Sequence, residues 1–563
     1  MARAAFPKGT LAIRMRDELG ELYGDAEFAS AFGVRGRSGI SPGQLAMVTV
    51  LQFTEDLTDR QAAEAVRGRI DWKYCLGLAL DDPGFDFSVL SEFRTRLVEH
   101  GLEELALDAL LVRLGELGLV TAGGKQRTDS THVISAIRDL NRLELAGESV
   151  RACVEALAVA APGWLTQVID VPGWNQRYGR RVDSWRLPTS QTKRTELASA
   201  YGTDAVALLR AIGHPSAPCW LLELPAVEVL RVVLVQNYTI TTGEDGTEVV
   251  TRREADTDGL PPARIRVTSP YDTDTRWAAK GDDLFWNGYK VHLSETCDTP
   301  PAREREQRTA NDAQGSPRRG ERPNVITNVA TTDATVPDSA MTTPIHQALA
   351  ARGLLPTEHY VDSGYPSVTL VSQSLRDYGI TLVSPLLADT SPQAKAGAGF
   401  DRASFHFDFD AQQARCPQGK LSSSWSPCTQ RGTAAIVVKF DTATCTPCPV
   451  RDQCTTATRG GRQLTVPPRE LHQAQTTART EQNTTDWQAR YAIRAGVEGT
   501  IHQAVTVTGT RRARYRGLHK THLEHVFSAT ALNLIRLDAW WNGHPLDHTR
   551  TSHLAHLEFA LAA

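Results

Sequence analysis

Asn324 to Tyr365 reads NVITNVATTDATVPDSAMTTPIHQALAARGLLPTEHYVDSGY. Its opening, Asn324 to Thr335, is rich in β-branched residues and predicts a strand. Ser339 to Arg352 has helical composition and is stopped by Gly353. Glu358 to Tyr365 (EHYVDSGY) predicts a second strand running into a turn, and Ile380 to Leu386 (ITLVSPL) a third. Strands alternating with helices argue for an α/β core. Upstream, Trp286 to Glu295 (WNGYKVHLSE) sets Tyr289, Val291 and Leu293 against Lys290 and His292 after an Asn287-Gly288 turn, the period of a half-covered strand. Before it, Lys125 to Val133 follows Gly123 and Gly124 as a short β-like stretch carrying Asp129.

Around this core the character changes. Residues 1–120 predict an all-α N-terminal domain. Ser41 with Pro42 gives an N-cap and a Pro at the first helical position, Thr58 with Gln61 is a capping box, and Ser88 to His100 places Leu90, Phe93 and Leu97 on one face with Arg94 and Arg96 off it. Such a domain suits a DNA-binding helix-turn-helix or a scaffold. Residues 121–386 hold the first part of the core, broken by a mainly helical insertion at about 138–275, with helices over Arg138 to Ala161 and Leu197 to Val235 and a loop over Pro172 to Ser190. Pro300 to Pro323 reads as an exposed loop. Residues 387–481 form a polar, Cys-bearing second insertion, and 482–563 return to the core with a helix over Thr485 to Ala504, a basic loop and an apolar helix capped by Thr521 and Glu524.

At about 100 to 200 residues per domain, 563 residues imply roughly three or four units. The 41% apolar and 22% charged composition is that of a globular chain, not a disordered one. The most apolar run, Val227 to Gln236, is interrupted by Glu228 and Arg231, so no membrane span is expected. The N-terminus carries charges where a secretory signal needs an apolar stretch, which predicts a cytoplasmic protein. A net charge of -4 gives no global support to nucleic-acid binding. Locally, Arg490 to Arg536 has eight Lys or Arg against Glu498 and Glu524, a basic patch hidden by the total. Nine Cys without a signal argue against a disulfide framework. Cys445 and Cys448 form a C-x-x-C, with Cys454 and Cys416 nearby, so these four suit either a closed structural zinc site or reduced packing residues, with Cys428 unassigned.

Three acids occupy informative places: Asp129 on the first strand, Asp362 at the end of a later one, Glu498 in the late helix. RTDSTHV around Asp129, YVDSGYP around Asp362 and YAIRAGVEGTIHQ around Glu498 resemble, in wording and order, the signatures of bacterial insertion-sequence transposases of the DDE type. NGYKVHL and VITNVATTDATVPD between the first two are similar to that family's intervening strands, and SPGQLAMVTVLQFTEDLTDRQAAEAV, Ser41 to Val66, to its helical N-terminal part. The resemblance implies a ribonuclease-H-like mixed sheet, with Asp129, Asp362 and Glu498 holding two Mg²⁺ that grip the attacking and leaving oxygens of a phosphodiester. Asp333 and Asp338 are alternative acids, better suited to turn and capping roles.

On one continuous helix Tyr491, Arg494 and Glu498 would share a face. In the resembled family a Tyr, an Arg, the Glu and a Lys seven residues on grip phosphates at the element's end, but that last position is Val505 here. Arg511, Arg512, Arg514, Arg516 and Lys520, in RRARYRGLHK with Tyr515 interleaved, are the candidate replacements for phosphate contact. The implied function is a DNA transposase that binds its element's terminal inverted repeats, cuts the strand by two-metal hydrolysis and transfers the 3′-hydroxyl into target DNA, as a homodimer on DNA at the bacterial nucleoid. Two competitors are a nuclease of the same fold without strand transfer, and a non-catalytic DNA-binding regulator.

Overall fold

The computed structural model describes residues 1–32, 39–243, 246–297, 322–430 and 432–544. Most of the loop expected over Pro300 to Pro323 lies outside them. The chain divides into two units: Met1–Thr121, Asp129–Val336 and Val497–Ala563 in the first, Ala122–Thr128 and Pro337–Gly496 in the second.

In the first unit, α1 (Pro42–Thr54) starts as expected, Ser41 accepting the Gln44 N–H at 3.1 Å with Pro42 following. The Thr58–Gln61 capping box opens α2 (Asp59–Gly68), and α3 spans Ser88–Glu99. Arg94 of α3 is not off the buried face; it is 4% exposed, its guanidinium donating to Asp59 at 2.5 and 3.0 Å. Strand β1 (Lys125–Ile134) begins in the second unit and ends in the first. Strand β2 (Arg276–Lys280) pairs antiparallel with β3 (Leu284–Thr296), and β3 pairs antiparallel with β4 (Ile326–Asp333). Asn287-Gly288, expected as a turn, lies inside β3. Gly288 has φ +155°, and an added Cβ there would stand 2.1 Å from the Val133 carbonyl oxygen, so only glycine lets β3 lie this close beside β1.

The helical insertion has its own core. Arg142–Ala160 opens on a capping box of Asn141 and Glu144, and packs with Gln191–Ile212 and Pro225–Asn237 around Cys153, Leu157, Tyr178, Tyr201 and Leu230. The expected loop over Pro172 to Ser190 contains a helix, Val171–Tyr178, capped by Asp170 with Pro172 in its first turn.

Helix α4 (Gly496–Thr508) leads through residues 509–517 into α5 (Leu518–Trp541), a long helix buried over most of Thr521–Leu534. Phe527 of α5 stacks on Phe53 of α1, centroids 6.2 Å apart, and the Asn533 amide exchanges hydrogen bonds with the Ile326 backbone of β4 at 2.7 and 2.9 Å. Thr521 does not cap α5. The helix starts three residues earlier, where Asp272 accepts the Gly517 N–H at 3.1 Å and Asp274 the Leu518 N–H at 2.8 Å, capping supplied from far upstream.

In the second unit, Lys125 to Arg127 pair in parallel with β5 (Glu358–Tyr360), and β5 in parallel with β6 (Thr381–Val383). With β3 beside β1, the strand order is β2-β3-β1-β5-β6, β4 also pairing with β3: a ribonuclease-H-like mixed sheet. The helix expected over Ser339 to Arg352 is Thr342–Ala351 after a 3₁₀ turn. The Cys-bearing segment forms a small sheet, Ser424–Gln430, Thr433–Lys439 and Gln463–Val466, over a core of Phe405, Val438 and Phe440.

Candidate active site and nucleic-acid interface

Asp129 is half-buried on β1, its Oδ1 accepting the Ser130 N–H at 2.8 Å. Glu498 belongs to the same unit and is exposed in the first turn of α4, where an acid is stabilised by the helix N-terminus. Two residues on, Thr500 donates to buried Glu295 of β3 at 2.5 Å. Arg536 of α5 donates to the same Glu295 at 2.8 Å, to Thr500 at 2.7 Å and to Gln503 at 2.9 Å, so the helix bearing Glu498 is tied to sheet and to α5.

In the second unit, Asp362 follows β5 and closes a turn, its Oδ1 accepting the Gly364 N–H at 2.8 Å. A Cβ at Gly364 would lie 3.0 Å from Asp362 Oδ1 and 3.3 Å from Asp338 Oδ2, so the two carboxylates flank this glycine. Asp333 has the turn role expected of it, accepting from Thr335 at 2.5 and 2.7 Å, whereas Asp338 stands beside Asp362.

Within the second unit, between β1 and β5, runs a buried chain that sequence reading missed. Thr128, adjacent to Asp129, shares a 2.7 Å hydrogen bond with His359 Nε2, and His359 Nδ1 shares a 2.9 Å hydrogen bond with His346. Burial pushes His346 down to about 4 and His359 well below its ordinary value, so both rings are neutral at pH 7 and fix β1 against β5 without a buried charge. The only signal in the sequence was a His in an otherwise apolar strand pattern, EHYV.

The single late helix expected to align Tyr491, Arg494 and Glu498 is broken. Thr485–Tyr491 is α-helical, Ala492–Ala495 is a 3₁₀ turn, and α4 starts at Gly496. Arg127 causes the change: its guanidinium donates to the Ile493 carbonyl at 2.8 Å and fills the space where a Cβ on Gly496 would sit, 1.9 Å away. Tyr491, Arg494 and Glu498 therefore do not lie on one continuous α-helix. Tyr491 instead stacks on Trp487 at 4.9 Å and donates to the Val361 carbonyl at 3.2 Å, bracing the residue before Asp362. Its neighbour Arg490 pairs with Glu358 at 2.9 Å.

The basic segment faces two ways. Arg512 and Arg516 are exposed. Arg511 donates to Thr131 of β1 at 3.1 Å and Lys520 to Thr95 of α3 at 3.0 Å. Arg514 is turned inward onto α1 and the turn after it, and Tyr515 lies under Arg94 at 4.5 Å instead of offering its face to a base.

Two stretches of the chain match known families: residues 2–96 the Transposase domain (DUF772), and residues 415–538 the Transposase DDE domain. Both matches support an insertion-sequence transposase of the DDE type. The second match includes Glu498 and the basic segment of the transposase and neither aspartate. Comparison with curated proteins and with solved structures gave no match. No helix among the described residues is long and apolar enough to cross a membrane.

Cys416, Cys445, Cys448 and Cys454 of the transposase line one pocket with Phe405, Phe440 and Arg462, all four as free thiols, and the Lys420 N–H points to Cys416 Sγ at 3.3 Å. Cys428 lies on Ser424–Gln430 opposite Ala435 and does not line it. Among the described residues, no three or more His, Cys, Asp or Glu side chains are gathered closely enough to hold a metal ion.

Proposed function

We propose that the transposase binds the terminal inverted repeats of its element, cuts the DNA strand by metal-assisted hydrolysis and joins the freed 3′-hydroxyl to target DNA, acting as a homodimer on double-stranded DNA in the bacterial cytoplasm. The observation carrying this reading is Glu498. It is a solvent-facing carboxylate at the start of a helix that Thr500, Glu295 and Arg536 tie down, inside the stretch matched to the DDE domain. Asp129 and Asp362 complete the proposed set on the strand β1 and the turn after β5.

Carboxylate oxygens are the donors Mg²⁺ prefers, and two or three acids suffice because the ion retains waters. Two such ions, when bound, supply charge neutralisation at the attacking and leaving oxygens. The protein's own part is orientation. The Asp362 turn fixes that carboxyl through the Gly364 N–H, the Thr128–His359–His346 chain sets β1 against β5, and Arg494 is proposed to hold the scissile phosphate, with Tyr491 bracing the Asp362 segment. An assay with end-bearing DNA and a second duplex separates this from the nuclease reading: joined products are expected, and cut but unjoined ends would favour the nuclease.

Phosphate contact in the basic segment is assigned to Arg512 and Arg516. Arg512→Ala and Arg516→Ala should each lower the slope of log K against log salt by about one. Slopes unchanged in both would place this segment away from DNA.

We propose that the four cysteines lining this pocket are drawn together around a structural zinc when the ion binds. Thiolates are soft donors and four of them leave no open position. Metal analysis of the purified protein should find about one zinc per chain, kept in Cys428→Ser and lost in Cys445→Ser. A content well below one would leave the four as reduced packing residues.

A further inference from the structure

Within the basic segment Arg514 is turned into the protein while Arg512 and Arg516 are exposed. Arg514 uses three faces of its guanidinium. One edge donates to the Leu57 carbonyl at 3.0 Å, another pairs with Asp56, and the flat side lies over Phe53 at 4.6 Å. Asp56 itself sits at φ +54°, a conformation costly for a residue with a Cβ, and the ion pair lies on that strained turn between α1 and α2. On the other side, the backbone of the same loop is stitched to the end of β1. Ile134 N–H donates to the Arg511 carbonyl at 2.8 Å, and Ala513 N–H to the Ile134 carbonyl at 2.9 Å. Arg514 N–H then donates to buried Glu524 of α5 at 2.8 Å. Beyond it, Tyr515 is covered by Arg94, and Lys520 reaches Thr95.

We propose that Arg514 is a positioning residue: it clamps the α1–α2 turn of the N-terminal helices to the loop that holds the end of β1, the strand of Asp129. The clamp makes the N-terminal helices and the acid-bearing strand move as one body, so DNA held by the first is presented in a fixed relation to the second. A planar, multi-point contact of this kind needs guanidinium geometry; a lone positive charge cannot reproduce it. The coupling to cleavage rests on the transposase reading; the clamp itself does not.

The test compares Arg514→Gln and Asp56→Asn with Arg512→Gln on the full-length protein. Amide exchange at Ile134 and Ala513, which reports the loop-to-β1 hydrogen bonds, should quicken about tenfold or more in the first two and stay unchanged in the third. In end-cleavage assays Arg514→Gln and Asp56→Asn should lose about tenfold in kcat with the salt slope of binding intact, and Arg514→Lys should not restore the rate. Arg512→Gln should lower the slope by about one. Because Asp56 carries the wrong charge for a phosphate ligand, a shared phenotype at both ends of the pair excludes a lost DNA contact. Exchange at Ile134 and Ala513 equal to wild type in both variants overturns the clamp, whatever the protein does to DNA, as does a slope reduced by one in Arg514→Gln. A wild-type protein that fails to cut end-bearing DNA, with exchange quickened as described, would sink the functional reading and leave the clamp standing.

Discussion

Glu498→Ala is expected to lower cleavage of end-bearing DNA by at least about a thousandfold, equivalent to about 4 kcal/mol of transition-state stabilisation, with affinity for the element's ends within about twofold of wild type. Glu498 is exposed, so its removal leaves no hole in the core. Thr500, Glu295 and Arg536 continue to hold α4 after the substitution, and a folded, DNA-binding, inactive protein is therefore the outcome that identifies a chemical role. Asp129→Asn and Asp362→Asn, which keep size and lose charge, should match it. A protein that retains its function without divalent metal and tolerates Asp129→Asn would instead be the non-catalytic regulator.

Arg536→Ala should have the opposite profile: the protein loses about 3–5 kcal/mol of folding stability. Glu295 is fully buried and the Arg536 side chain is 11% exposed, so deleting the cation takes the charged partner from a carboxylate in the interior. A hydrophobic replacement of both partners would cost much less, because no orphaned charge remains. Chemical denaturation of Arg536→Ala beside the Arg536→Met, Glu295→Leu double variant checks the point. Equal stabilities for the two would mean that the ion pair is not what ties α5 to β3. Because Thr500 lies on the same network, residual activity in folded Arg536→Ala reports how far the placement of Glu498 depends on it.

The elements that were legible in the sequence are those whose causes are local. Ser41-Pro42 and Thr58–Gln61 carry their own capping groups, alternation marks β3 and a β-branched run marks β4, so these elements could be read directly. What could not be read depends on partners far along the chain. The break before α4 is set by Arg127, 366 residues from the Ile493 carbonyl it meets. The start of α5 is set by Asp272 and Asp274, which overrule the local Thr521–Glu524 pattern; Glu524 is buried instead, and burial raises its carboxyl to about 8. Arg94 and Arg514 look alike in sequence to exposed arginines, and only Asp59 and Asp56 decide that they point inward. The same limit applies to the acids. Their sequence settings pointed to a catalytic set, while the carboxylate beside Asp362, Asp338, became apparent only from the turn at Gly364.

That neighbour makes the decisive measurement specific. Crystals of the transposase bound to end DNA, grown with Mn²⁺ in place of Mg²⁺, should show anomalous density coordinated by carboxylate oxygens of Asp129, Asp362 and Glu498, with a phosphate oxygen completing the sphere. Metal held by Asp362 and Asp338, with Glu498 left in solvent and Glu498→Ala fully active, would contradict the assignment.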